Sequence, residues 1–201
     1  MEQKEVWEKV ARPWQSFREN QKLIEDVSEF LKGKAGKILD LGCGSGRYFA
    51  KIRGKIYAMD FSKKMLELAK GHAKEKGIDA EFFQAEAYAL PFKDDFFDSA
   101  IFIAALHCIE SAEKRKKSLE ELFRVLKKEG KAIITAWSRN SERVKNKPKE
   151  AFIPWTVDGK KYFRYYYIYE KNELEALLKE VGFKILSIKE GKNIIAIVEK
   201  G

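Results

Sequence analysis

The chain has 201 residues, enough for one compact domain with a buried core. Two cysteines and two histidines exclude a disulfide framework and offer no cluster for a metal ion. The 40 Lys and Arg against 31 Asp and Glu leave a net charge of +9, which suits an anionic partner such as RNA and equally suits plain lysine solvation. The charged start, Met1 to Glu5, lacks the apolar core of a signal peptide, and the apolar run Ala100–Leu106 is too short to span a bilayer. The expectation is a cytoplasmic protein that does not enter membranes.

Residues 1–33 read as a helical segment carrying Trp7, Ala11, Trp14 and Arg18. Lys37–Asp40 reads as a first strand that ends in a glycine turn, Leu41-Gly42-Cys43-Gly44-Ser45-Gly46, with a helix expected over Ser45–Ile52. A second strand, Lys55–Met59, ends at Asp60. Ser62 then suits the N-cap of a helix to about Lys76, stopped by Gly77. Ala80–Gln84 is a third strand. Ser99–Leu106, apolar throughout, suits the centre of a sheet covered on both faces. A helix over Glu113–Lys128 closes at Gly130, and Lys131–Trp137 is a fifth strand. An aromatic-rich insertion, about 138–170, contains Asp158-Gly159, a hairpin turn signal. Asn172–Val181 is helical, and Phe183–Lys189 with Asn193–Glu199 form a terminal hairpin. This rhythm predicts an α/β fold: a doubly wound, mostly parallel sheet ending in an antiparallel hairpin, within a single domain over 1–201.

Chemistry concentrates where the first strands end. A backbone that turns sharply against a ligand cannot carry Cβ atoms, which explains Gly42, Gly44 and Gly46 around Cys43. Asp60, twenty residues after Asp40, can accept both hydroxyls of a ribose. Phe61 can pack on an adenine face. The dinucleotide fingerprint would want a third glycine where this chain has Arg47.

The segment Ile38–Gly46, together with Asp60, Gln84-Ala85-Glu86-Ala87-Tyr88-Ala89-Leu90-Pro91-Phe92 and Phe97-Asp98, resembles the class I S-adenosylmethionine-dependent methyltransferases. The resemblance implies a Rossmann-like, seven-stranded sheet of order 3-2-1-4-5-7-6 with one antiparallel strand. It implies S-adenosyl-L-methionine as cofactor, Asp40 toward its ammonium group, Glu86 and Ala87 toward its adenine, and Ala104 beside it. His107 follows the fourth strand, where that family places its acceptor.

Two further stretches narrow the resemblance. Trp7, Ala11, Trp14 and Arg18 fall in one register. Phe152-Ile153-Pro154-Trp155, Arg164-Tyr165-Tyr166 and Tyr169 to Leu174 follow in order. They are similar to the tRNA wobble-uridine carboxymethyl methyltransferases, which esterify a 5-carboxymethyl group. Phe17 stands where that family usually has Thr, and Pro13 lies one position late. A carboxylate acceptor is already ionised at neutral pH and needs a cation to orient it rather than a base. Arg18 and Arg164, with His107, are the catalytic candidates. Trp14, Arg139, Arg143, Trp155, Tyr165 and Tyr166 are candidates for substrate binding, cations for phosphates and aromatics for exposed bases. The resemblance implies tRNA as partner and a small zinc-binding activator protein. Other readings remain: a methyltransferase acting on a quinone, sterol or small acid, and a non-catalytic cofactor-binding module that interacts with RNA.

Overall fold

The computed structural model describes residues 1–201. Seven strands form one sheet: β1 (Ala35–Leu41), β2 (Arg53–Asp60), β3 (Ala80–Gln84), β4 (Phe97–Ile103), β5 (Leu126–Trp137), β8 (Phe183–Glu190) and β9 (Asn193–Lys200). Between β5 and β8 in the chain, β6 (Glu150–Val157) and β7 (Lys160–Tyr167) pair only with each other. The sheet order is β3-β2-β1-β4-β5-β9-β8. Setting the separate hairpin aside, this is the expected order. Every pairing from β3 to β5 is parallel, and β9 runs antiparallel to both neighbours.

Apolar sequence decides which strands are central. Six of seven β4 residues are buried, and Leu39, Phe97, Phe102, Ala132 and Ile134 join the largest core cluster. On the sheet's other face, Ile38, Ile101 and Ile133 pack against Val27 and Leu31 of α2 (Glu25–Leu31). Helix α3 (Lys63–Lys76) begins where expected, with Ser62 Oγ accepting from Met65 N at 3.1 Å. It turns Leu66 and Ala69 toward Ile56 and Ala58 of β2.

Helix α1 (Gln3–Glu19) lies outside the sheet and tolerates Pro13 in its interior. Its buried residues, Gln3, Val6, Trp7, Val10 and Ala11, recur at helical spacing and face α3 and the β6–β7 hairpin. Burying each of its larger apolar side chains contributes about 1.5–3 kcal/mol. Gln3 adds a two-sided clamp on the hairpin. Its Nε2 donates to Phe163 O at 3.1 Å and its Oε1 accepts from Tyr165 N at 2.8 Å.

Three expected boundaries shift. No helix forms over 45–52. Gly46 N donates to Cys43 O and Phe49 N donates to Gly46 O, so the segment closes in three-residue turns. The fourth strand stops at Ile103 because Ala104 takes φ of 53° and a 3-10 turn follows at Leu106–Cys108. Helix α4 (Ala112–Val125) ends earlier than Lys128. Leu126 is fully buried and already pairs with Phe97, and residues 127–130 bulge out before pairing resumes at Lys131. Asp158 and Gly159, with φ of 49° and 75°, make the predicted hairpin turn between β6 and β7. Helix α5 (Lys171–Val181) follows.

Candidate active site

A cavity of about 480 Å³ opens at the carboxyl ends of β1, β2 and β4, where a doubly wound sheet binds its ligands. Trp7, Trp14 and Arg18 of α1 and Tyr166 of β7 close its opposite side.

The floor is the glycine turn. Gly42 and Gly44 have φ of 68° and 54°. A Cβ at Gly42 would lie 2.5 Å from Ala105 Cβ, whereas one at Gly44 would meet no protein atom within 4 Å. Residue 44 therefore keeps open space clear above the backbone, and Gly42 permits the close packing below it. Gly46 is buried behind the lining, its φ of 78° placing it over the Phe49 ring.

Two acids flank this turn. Asp60 Oδ2 accepts from Gly44 N and Oδ1 from Ser62 N, both at 2.9 Å. Each oxygen retains a lone pair, and the carboxylate is fixed in orientation. Burial raises its pKa to about 6, against the lowering effect of the two N–H donors. Asp40 is 4% exposed and its carboxyl has no hydrogen-bond partner in the chain. Burial, then the nearby charge of Asp60, raises its pKa to about 8. A buried, unpartnered acid at a cavity wall suits a cationic group on a ligand. Phe61, Glu86, Ala87, Cys43 and Ala104 also line the cavity. Ala104 N donates to Thr135 Oγ1 at 2.9 Å, which holds its left-handed backbone in place.

The far wall is aromatic. Tyr166 stacks on Trp137 with centroids 4.2 Å apart, and His107 stacks on both. His107 is 1% exposed, and its Nδ1 accepts from Trp137 N at 3.3 Å, which leaves the proton on Nε2. Burial first, then Arg143 and Arg18, push its pKa down to about 3. His107 is thus a neutral donor and stacking surface, not a proton acceptor poised near neutrality.

Arginines surround this wall. Arg18 lines the cavity, donates to Gln21 Oε1 at 3.1 Å and forms no ion pair. Its pKa is lowered, by burial and then by Arg47. Arg143 sits over the Trp137 ring at 4.6 Å, outside the cavity lining. Arg164 also lies outside the lining, enclosed at 1% exposure among Trp7, Trp14, Trp155 and Tyr166. Its Nη1 donates to Tyr166 Oη at 2.6 Å, and its Nε has no partner. Arg164 thus touches the cavity's lining residues Trp7, Trp14 and Tyr166 from behind.

The other candidates divide. Trp14 and Tyr166 line the cavity. Trp155 lies behind Trp14, with ring centroids 5.3 Å apart. Tyr165 is buried on the hairpin's other face, its hydroxyl accepting from Arg115 Nη1 at 2.9 Å. Arg139 is folded back onto Lys147 O and Val144 O. Arg47, Tyr48, Met59 and Met65 also line the cavity, and none of them carries a binding signal in the sequence. Met59 and Met65 carry ordinary core patterns. Arg47 and Tyr48 fall in the segment expected to be helical.

Residues 39–134 match the methyltransferase domain family. With that match, the sheet order and the glycine turn between two buried acids, the chain belongs to the S-adenosylmethionine-dependent methyltransferases. An uncharacterized protein of Methanocaldococcus jannaschii is 32% identical over 202 residues, covering 97% of this chain and 88% of that one. The tRNA (carboxymethyluridine(34)-5-O)-methyltransferase of Schizosaccharomyces pombe is 26% identical over 213 residues, covering 90% of this chain and 88% of that protein. The Xenopus tropicalis protein of that name, alkbh8, is 33% identical over 126 residues, covering 61% of this chain; the match spans only 19% of its own length. Among solved structures, the complex between the Haloferax volcanii Trm112 methyltransferase activator and a methyltransferase matches with a TM-score of 0.74. That match has 13% identity and covers 99% of this chain and 97% of the other, a likeness of fold.

The residues present fit S-adenosylmethionine. Asp40 offers an unpartnered buried acid for its ammonium group, Asp60 an oriented carboxylate for its ribose, and Gly44 the open backbone beside them. When bound, the cofactor supplies a methyl group already activated by a sulfonium. What remains for the chain is to align an acceptor and exclude water.

Proposed function

We propose that the chain methylates the carboxylate of 5-carboxymethyluridine at the wobble position of tRNA, forming a methyl ester. The observation that carries this reading is Arg18, a half-buried guanidinium on the cavity wall without an acidic partner. A half-buried cation with no acid beside it can take an anion, and a carboxylate accepts the guanidinium fork in two parallel bonds. Neutral His107 agrees with an acceptor that needs no base. The aromatic wall of Trp137 and Tyr166 offers a stacking surface for an extruded base. Relatives named for this reaction support the assignment. A tRNA carrying the group is the macromolecular partner in this reading. A reducing cytoplasm suits free Cys43 and Cys108.

The fold match to a methyltransferase captured with its activator supports a second element. A small zinc-binding protein would add a strand at an open edge of the sheet, β3 or β8. A purified chain that is soluble and fully active alone would remove that element.

The test is incubation with methyl-labelled cofactor and tRNA bearing 5-carboxymethyluridine, with and without the activator. The expected product releases its label in mild alkali, as an ester does. Label stable to alkali, or turnover only on a small acid or quinone, overturns the assignment. Arg18→Ala is expected to lower kcat/KM by about 2–4 kcal/mol, as for a lost charge-assisted contact.

A further inference from the structure

The cofactor turn and helix α1 are joined by a clasp. Arg47 directly follows Gly46. Its Nη1 donates to Arg18 O, and its Nη2 donates to Gln21 O and, at 2.9 Å, to Lys22 O. Arg18 lies in the last turn of α1, and Gln21 and Lys22 lie in the loop that follows it, so the guanidinium sits at the helix end that favours a positive charge. The neighbouring residue adds a second hold, Tyr48 Oη accepting from Ile24 N at 3.4 Å. Arg47 and Tyr48 both line the cavity, and so does Arg18, whose own carbonyl Arg47 grips. At its other end α1 is fixed to β7 through Gln3. Trp14, between these fixed ends, and Arg18, at one of them, both line the cavity.

We infer that Arg47 is a positioning residue: by tying the cofactor turn to residues 18–22, it makes cofactor occupancy set the placement of Arg18 and Trp14. The physical basis is that the turn is built from residues 42–49 with left-handed backbone at three glycines, so its shape depends on what rests on it. A ligand seated on Gly42 and Gly44 narrows the conformations of the turn. Through the guanidinium, it narrows those of the helix end. Linkage makes the effect mutual, so an acceptor that orders Arg18 also favours the occupied turn. The role of Arg18 toward the acceptor rests on the function proposed above, whereas the coupling of turn to helix does not.

The experiment is hydrogen exchange on the intact chain, free and saturated with S-adenosylhomocysteine, for wild type, Arg47→Ala and Arg47→Lys. Saturation is verified by calorimetry for each protein. In wild type, the cofactor product is expected to slow exchange at residues 40–46 and, by at least about fivefold, at residues 14–22. In Arg47→Ala the slowing persists at the turn and disappears at 14–22. Arg47→Lys, with one ammonium in place of the fork, falls between them. Unchanged exchange across β4 and β5 shows that the variants are folded. Equal protection of 14–22 in Arg47→Ala and wild type overturns the inference, as does absence of protection there in wild type. A kinetic arm with the modified tRNA expects a tRNA KM raised about tenfold in Arg47→Ala at saturating cofactor. Failure of wild type to turn over that tRNA would defeat the acceptor assignment, while the exchange result would still decide the coupling.

Discussion

At the scale of single residues, Asp40 and Asp60 end adjacent strands inside one cavity, and their environments separate their roles. Asp60 is held by two N–H donors, whereas Asp40 has none and lies beside its neighbour's charge, so it carries the higher pKa. The sign of the consequence follows. In the free protein the proton stays on Asp40 up to about pH 8. A cationic ligand group needs the ionised form, so binding below that pH must release a proton. Affinity for S-adenosylhomocysteine is therefore expected to rise by roughly tenfold or more from about pH 6 to about pH 8. Calorimetry in buffers of different ionisation enthalpy should detect proton release at neutral pH. Asp40→Asn should bind more weakly and lose the dependence. A wild-type affinity that is flat over this range would remove Asp40 from the ammonium site. His107 gives stability a pH dependence of its own. Its folded pKa lies below the unfolded value, so its contribution is present above about pH 6.5 and is lost as pH falls toward about 3.

Among the elements, the junction of β2 and α3 joins chemistry to architecture. Asp60 closes the strand, Ser62 N donates to its carboxylate, and Ser62 Oγ caps the helix that follows. Ser62 is fully buried, so its hydroxyl cannot be replaced by water. Ser62→Ala is expected to cost about 1 kcal/mol, which for a chain of this size lowers Tm by about 2–4 °C. An unchanged melting temperature by calorimetry would show that the cap contributes nothing. This junction was legible in the sequence because capping is local: a serine, the residues after it and Gly77 define the helix. The sheet order was legible from the resemblance rather than from spacing. Three features were hidden because their causes are distant in the chain. Residues 45–52 have helical composition, but Arg47 is drawn to the carbonyls of residues 18–22. Leu126 has the pattern of a helix end and is claimed by Phe97 across the sheet. Arg164 reads as a binding arginine, and four aromatic rings from α1 and the hairpin close around it.

For the molecule as a whole, the question is which of its excess positive charges can act on a partner. Many lysines are already matched by surface acids, as in Lys55 with Glu81, Lys116 with Glu180 and Lys184 with Glu199. In the insertion, Lys145 pairs with Glu142 and Lys149 with Glu173, which leaves Lys147, Lys160 and Lys161 exposed and unpaired. The exposed rings of Phe152 and Phe163 lie on the same hairpin as the last two. If these three cations meet phosphates of a single-stranded loop, each releases condensed counterions on binding. The logarithm of the tRNA association constant should then fall against the logarithm of salt concentration with a slope of about −2. Replacing Lys160 and Lys161 together by Glu should flatten that slope to about −0.7 or shallower while leaving the cavity's residues in place. Fluorescence titration of tRNA at several salt concentrations measures both slopes. An association indifferent to salt would mean that the net charge serves only solvation, and the same slope in the double variant would place the phosphate contacts elsewhere on the surface.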